Sequence, residues 1–308
     1  ERFRGRLIFP INNISGQPIA LGGRIIEKSD YMAKYINSPE TPIFLKGQLL
    51  FNFHLANKEI TEEKDFILVE GQLDAIRCYL EGFKSTVAPQ GTAFKLSQAE
   101  LMRKANPRKV ICLLDGDEAG QKAALSYIPI FLKTGLEAHI ATLPQGSDPD
   151  QILVNSGKSA LLNIIEDGVP MVNYVCNRML GEHPTPQENQ MVIDFFFPIL
   201  AEMESMVMRD SYLGLISNAL GIAQQSVKAD FQKYVRNRKP AYREKTVTKP
   251  FQKVVSARTE RLTTAEDDLL YCLLHDVRLG SSLAQIIDPS WLDTKVIAGR
   301  ILALWCRV

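Results

Sequence analysis

Residues 110–124 read VICLLDGDEAGQKAA, where an apolar run stops at Leu114 and three acids follow at once: Asp115, Asp117 and Glu118. Two further stretches have the same character. In VEGQLDA, Glu70 follows an apolar run and Asp74 comes one helical turn later; in LPQGSDPDQI, Asp148 and Asp150 follow another apolar run. Convergent carboxylates cannot all remain ionised without a counter-charge. They can share a proton, or they can hold a pair of hard cations. Mg²⁺ prefers oxygen ligands and is usually held by one or two carboxylates together with substrate phosphates. Two such ions can clamp the attacking and leaving oxygens of a phosphoryl transfer. The Asp-x-Asp spacing suits that chemistry, because a turn can aim both side chains at one ion pair. Gly71, Gly116 and Gly120 lie among the acids and would let phosphate oxygens approach the backbone.

Such a site needs neighbouring strands to carry it, and the surrounding pattern supplies them. DFILVEG, STVAPQG, KVICLLDGD and LEAHIATLP read as strands; LDAIRCYLEGF, LSQAELMRKAN and EAGQKAALSYIPIFLKTG read as helices between them. This alternation predicts an α/β domain with a parallel sheet over residues 63–157. In open sheets of that kind function collects at the carboxyl ends of the strands. Ser97, with Glu100 three residues on, has the spacing of a capping box. Residues 1–62 are rich in Gly, Pro and Asn, and Ser15-Gly16-Gln17-Pro18 predicts a hairpin. Arg2, Arg4 and Arg6 alternate, so a strand would put them on one face, able to track a phosphate backbone. Residues 158–236 read as helices throughout, with two amphipathic helices joined at Gly221. A basic linker follows over 237–261; from Arg236 to Arg261, nine Lys or Arg face two Glu. Residues 262–308 begin a further helical segment.

Composition narrows the classes. The 308 residues are 45% hydrophobic and 23% charged, with a net charge of +1, so any nucleic-acid surface must be local. The five cysteines form no CxxC pair and the four histidines are far apart, which predicts reduced thiols and no zinc site in this chain. No signal peptide or long apolar span is evident, so no membrane is expected, and there is no Walker A motif. The start at Glu1 and the end in LALWCRV suggest a piece of a longer protein.

EGQLDA together with DGDEAGQKA resembles the Toprim domain, the metal-binding α/β unit of bacterial primases, topoisomerases and some repair nucleases. The flanks RFRGRLIFPI, ALGGRII, KYINSPETPIFLKGQLLFNF, APQGTA and LPQGSDPDQIL narrow the resemblance to the RNA polymerase core of DnaG-type bacterial primases, densely over residues 1–155 and more loosely to about 236. It implies a Toprim domain with a parallel central sheet, preceded by a small α+β basic subdomain and followed by a helical subdomain. It implies synthesis of RNA primers on single-stranded DNA from ribonucleoside triphosphates, at the replication fork in the bacterial cytoplasm. Glu70, Asp115 and Asp117 match the residues that bind the catalytic Mg²⁺ ions, with Mn²⁺ able to substitute; Asp74, Asp148 and Asp150 match acids lining that site. Arg24, Lys34, Asn37 and Lys46 match the family's nucleotide- and template-binding positions, and Arg4 and Arg6 join them. The spacing from Arg24 to Lys34 is longer than the family's by about two residues, in the Glu27–Tyr31 turn. The family's zinc-binding domain is expected to be missing from this piece, and residues 262–308 to begin the domain that meets the replicative helicase. The alternatives are another Toprim enzyme, topoisomerase- or nuclease-like, or a scaffold for helicase or DNA with a vestigial site. None of the nine tyrosines sits in a topoisomerase-like pattern, and the acid set is intact.

Overall fold

The computed structural model describes residues 2–27, 31–91, 93–238 and 302. The Glu27–Tyr31 turn falls largely outside the described residues. So do the basic linker from residue 239 onward and the expected helicase-contact segment, apart from residue 302.

The first strands are an antiparallel hairpin, β1 (Arg6–Asn12) and β2 (Pro18–Ile25), joined by β3 (Tyr35–Asn37) in the order β1-β2-β3. The expected turn is there: Asn13 accepts from the backbone N–H groups of Ser15 and Gln17 through its side chain, and Gly16 takes φ 84°. Arg2, Arg4 and Arg6 do not share a strand face. Residues 2–5 form turns, and Gly5, with φ 66°, breaks the alternation before β1 begins at Arg6. A 3₁₀ turn (Lys46–Gln48) and helix α1 (Phe53–Glu59) lead into the second unit of structure.

That unit alternates β4 (Phe66–Leu68), α2 (Gln72–Leu80), β5 (Thr86–Val87), α3 (Leu96–Lys104), β6 (Val110–Leu114), α4 (Glu118–Thr134), β7 (Ala138–Thr142), α5 (Pro149–Asn155) and α6 (Gly157–Glu166). The sheet order is β5-β4-β6-β7-β8, parallel through β7. Its last strand, β8 (Val169–Pro170), runs antiparallel to β7, so the stretch after residue 158 is not helical throughout. Helices α7 (Met171–Met179), α8 (Pro186–Ala201), α9 (Met206–Leu220) and α10 (Gln224–Asn237) follow, α9 ending at Gly221 with φ 65°, where the two helices were expected to join. Helix α3 starts earlier than Ser97: extended Lys95 is the N-cap, and Gln98 at the third position accepts from its N–H. Ser97 lies inside the helix and donates to Gly47 O instead.

Side chains alternate across each strand, so the sheet separates two cores. Phe66, Leu68, Val110, Cys112 and Leu114 pack with α3, α4 and the later helices. Ile67, Val69, Ile111 and Leu113 pack with α2, α5 and α6 and also with Phe9, Ile11 and Phe44 of the N-terminal segment. Cys78, Cys112 and Cys176 are buried free thiols. Among the described residues no helix is long and apolar enough to cross a membrane.

The loops after β6 and β7 are tied directly to one another. Gly116 N–H donates to Ser147 O at 2.9 Å and Gly146 N–H to Gly116 O at 3.1 Å. A Cβ on Gly116 would strike the carbonyls of Leu143 and Pro144, backbone atoms that cannot step aside. Gly116→Ala is therefore expected to destabilise the chain by about 1–3 kcal/mol, read as a lower urea midpoint, whereas Gly120's neighbour Ala119, which is exposed, tolerates Ala→Ser without a comparable shift.

Candidate metal and nucleotide site

Strands β4, β6 and β7 are consecutive in the sheet, and the acids lie just past their carboxyl ends. Glu70 follows β4, Asp115 follows β6 directly, and Asp148 ends the loop after β7. Each loop then opens a helix, so α2, α4 and α5 turn their amino ends towards the same place. Asp117 caps α4, accepting from Gly120 N–H at 2.8 Å, and Asp148 caps α5, accepting from Gln151 N–H at 2.7 Å. The partial positive charge of the three helix starts offsets part of the negative charge gathered there. Glu70 Oε1 accepts from Asp115 N–H at 3.0 Å, which ties the first acidic motif to the second. Gly120 makes this approach possible, since a Cβ there would meet Glu70 Oε1 and the Asp115 carbonyl.

These elements enclose a cleft of about 600 Å³. Its lining includes four acids, Glu70, Asp74, Asp115 and Asp148, together with Arg2, Lys34, Tyr35, Asn37 and Lys46. The predicted residues thus divide. Asp117 is exposed beside the cleft at the start of α4. Asp150 stands off the lining, exposed and paired with Arg77 at 3.3 Å. Arg24 is exposed on β2 with its guanidinium 5.8 Å from the Tyr35 ring, where Lys34 Nζ lies 5.6 Å away. Arg6 is half-buried and donates to Lys34 O, while Arg4 is exposed and lines no part of the cleft. Asn37 donates to Gln90 O at 3.1 Å, and Arg2 donates to Asn37 O at 3.2 Å.

Two features escaped the sequence reading. Tyr35 stands in the cleft between two cations; the signal was its place inside KYINSPET. A buried amide pair, Gln72 at the start of α2 donating to Gln90 of the loop after β5, sits at the cleft, and no local pattern announces that these two residues will meet.

The electrostatics follow from crowding in a half-buried place. Burial pushes Asp115 up to about 7, and Glu70, Asp74, Asp148 and Asp117 all add to the effect. Burial raises Asp74 to about 6, reinforced by Asp148 and Asp150 and opposed by the Gly71 N–H. Glu70 is raised by burial too, with the Asp115 N–H holding it back. Asp115 Oδ1 is buried with no hydrogen-bond partner. Among the described residues no three acidic, His or Cys side chains close into a compact ligand cluster. The donor set is nonetheless all oxygen, contains an unpartnered buried carboxylate oxygen, and shares its cleft with cations, which fits a hard divalent ion shared with a phosphate.

A carboxyl whose folded pKa lies above its unfolded value stabilises the fold at low pH and loses that contribution as pH rises. For Asp115 the window runs from about 4, its ordinary value being 3.8, to about 7. Thermal melts without divalent cations should therefore show stability falling across that window. Asp115→Asn should flatten the fall and raise the midpoint at pH 8 by a few degrees, about what 1 kcal/mol gives in a chain of this size. A pH profile identical to the parent's would rule out Asp115 as the strained acid.

Known proteins can now be set beside this geometry. Residues 1–57 match the family model for the DNA primase catalytic core, N-terminal domain, and residues 67–153 match the Toprim-like family model. A DNA primase of Clostridium acetobutylicum is 35% identical over 243 residues, covering 77% of this chain and 40% of that protein. The chain thus spans about 40% of the length of that curated relative. The E. coli primase catalytic core is 30% identical with a TM-score of 0.62, covering 72% of each chain. A DnaG primase catalytic domain solved bound to single-stranded DNA is 29% identical with a TM-score of 0.63, covering 73% of this chain and 72% of that one. The two family models fall on the basic hairpin segment and on the acid-bearing sheet, and the chain belongs to the bacterial DnaG-type DNA primase family.

Proposed function

We propose that this chain is the catalytic part of an enzyme that makes RNA primers on single-stranded DNA, joining ribonucleoside triphosphates by nucleotidyl transfer. The observation that carries the reading is the cleft itself, which Glu70, Asp74, Asp115 and Asp148 line together with Arg2, Lys34 and Lys46. A nucleoside triphosphate needs both: cations for its phosphate oxygens, and oxygen ligands for the divalent ions that accompany them. Family membership supports the same reading, as does the related catalytic domain solved with single-stranded DNA.

In this proposal Glu70, Asp115 and Asp117 hold Mg²⁺, or Mn²⁺ in its place, with Asp74 and Asp148 beside them. Asp150 joins only by leaving Arg77. Bound there, the metal supplies Lewis acidity and neutralises the charge that builds on the phosphate oxygens. The chain's own residues do the rest. Lys34 and Lys46 bind the triphosphate, Arg2 and Asn37 line the cleft beside them, and the exposed Arg4 and Arg24, with Arg6 at the start of β1, supply further cations around the hairpin for a template strand. Orientation of the reacting groups is the main contribution, and no protein nucleophile is required. The enzyme acts in the bacterial cytoplasm at the replication fork, with residues 262–308 proposed to contact the replicative helicase.

Labelled ribonucleotide incorporation on single-stranded DNA tests this. The parent should give template-dependent RNA product. Asp115→Asn and Asp117→Asn should each lower it by about 10²–10³-fold while leaving single-stranded DNA binding within about twofold. Lys46→Ala should weaken triphosphate binding by about tenfold or more, the scale of one lost charged hydrogen bond. Undiminished product from Asp115→Asn would refute the metal-assisted reading.

A further inference from the structure

Lys46 reaches the cleft from a short 3₁₀ turn that belongs to no sheet, yet its backbone is held at both ends. Its N–H donates to Glu40 Oε1 at 2.8 Å. Its carbonyl accepts from Gln98 Nε2 at 3.1 Å, and the same amide donates to Leu49 O at 2.7 Å. Gln98 Oε1 accepts from Lys95 N–H at 2.9 Å, so both N–H groups and the oxygen of this amide are used. Ser97 adds a hydroxyl bond to Gly47 O at 2.6 Å. Gln98 is fully buried on helix α3, at a place where an apolar side chain would fill the space at lower cost. A buried amide is tolerated when every group is satisfied. Here both amide N–H groups are satisfied by carbonyls of the Lys46–Leu49 segment.

The geometry points to a positioning role. We infer that Gln98 is the strut through which α3 fixes the Lys46 turn relative to the acids at the ends of β4 and β6, and that Glu40 closes the clamp from the other side. This rests on the reading of Lys46 as a triphosphate-binding cation. Without the clamp the lysine remains charged and remains near the cleft. It pays more conformational entropy to meet a phosphate, so affinity for a nucleoside triphosphate falls while the fold persists.

A double-mutant cycle tests it. ATP binding in the presence of Mg²⁺ is measured by titration calorimetry for the parent, Gln98→Met, Lys46→Ala and the double variant, with urea midpoints alongside. Gln98→Met removes the polar groups and keeps the volume. It should weaken ATP binding about threefold to tenfold in the parent background and have no further effect once Lys46 is Ala, as for coupled residues. Glu40→Gln, which keeps the acceptor oxygen, should bind ATP like the parent, and Glu40→Ala should not. An equal loss from Gln98→Met in both backgrounds, or no loss in either, would overturn the positioning role. An unchanged affinity in Lys46→Ala would overturn the inference by a different route, showing that the reading of Lys46 itself had failed. If Gln98→Met does not fold, the comparison at Glu40 decides alone, because that side chain is exposed and its replacement leaves the core intact.

Discussion

Repulsion among carboxylates is the constraint around which this chain is built. Glu70, Asp74, Asp115 and Asp148 border one cleft, and burial plus mutual charge raises the first three. A fold that assembles such a group works against its own stability unless something offsets the charge. Backbone dipoles provide part of the offset: three helices begin at the acid-bearing loops, and Asp117 and Asp148 are bonded to N–H groups in the first turns of two of them. Arg77 provides another part by pairing with Asp150 on the outer side. Steric permission completes the arrangement. The close approach of Glu70 to the start of α4 exists because residue 120 has no side chain, and the union of the DGD loop with the loop before Asp148 exists because residue 116 has none.

The second requirement is that the cations stay in the same cleft as the acids. The basic hairpin segment cannot drift relative to the sheet, because it shares a core with it. Phe9, Ile11 and Phe44 pack against Ile67, Val69 and Leu113. Polar ties reinforce the join: Phe51 and Ala88 exchange backbone hydrogen bonds, Asn52 donates to Thr86 O, and Asn37 donates to Gln90 O. Two stretches that match separate family models are therefore one mechanical unit at the cleft. Apolar packing supplies most of the adhesion, and the directional hydrogen bonds set the register.

Much of this could be read from the residues alone, for physical reasons. Apolar runs such as ICLL and FILV, each stopped by an acid and followed by a helical pattern, announce parallel strands, and neighbouring strands then bring Glu70, Asp115 and Asp148 together. Where tertiary contacts decided, the reading failed. Strand β8 is a two-residue Val-Pro edge with no periodicity to detect, formed where the outer edge of β7 was open to pairing. The capping box at Ser97 lost to Gln98, whose amide could satisfy Lys95 N–H and the Lys46 turn together. Alternation of Arg2, Arg4 and Arg6 failed at a single glycine in the left-handed region. In the first two cases a contact distant in sequence overrode the local pattern; in the third a single backbone conformation did.

The acids also show how one carboxylate can serve structure and chemistry together. Asp117 and Asp148 each commit an oxygen to a helix start, and Glu70 commits Oε1 to Asp115 N–H. A carboxylate has two oxygens and about four acceptor sites, so each keeps capacity towards the cleft. The bonded oxygen fixes where the free one points. Asp115 differs: its Oδ1 is buried and unpartnered, and its charge is the most strongly disfavoured of the acids bordering the cleft. Positioned neighbours surround one carboxylate that protein groups leave unsatisfied. That is the arrangement expected where binding a cation, rather than folding, supplies the missing interaction.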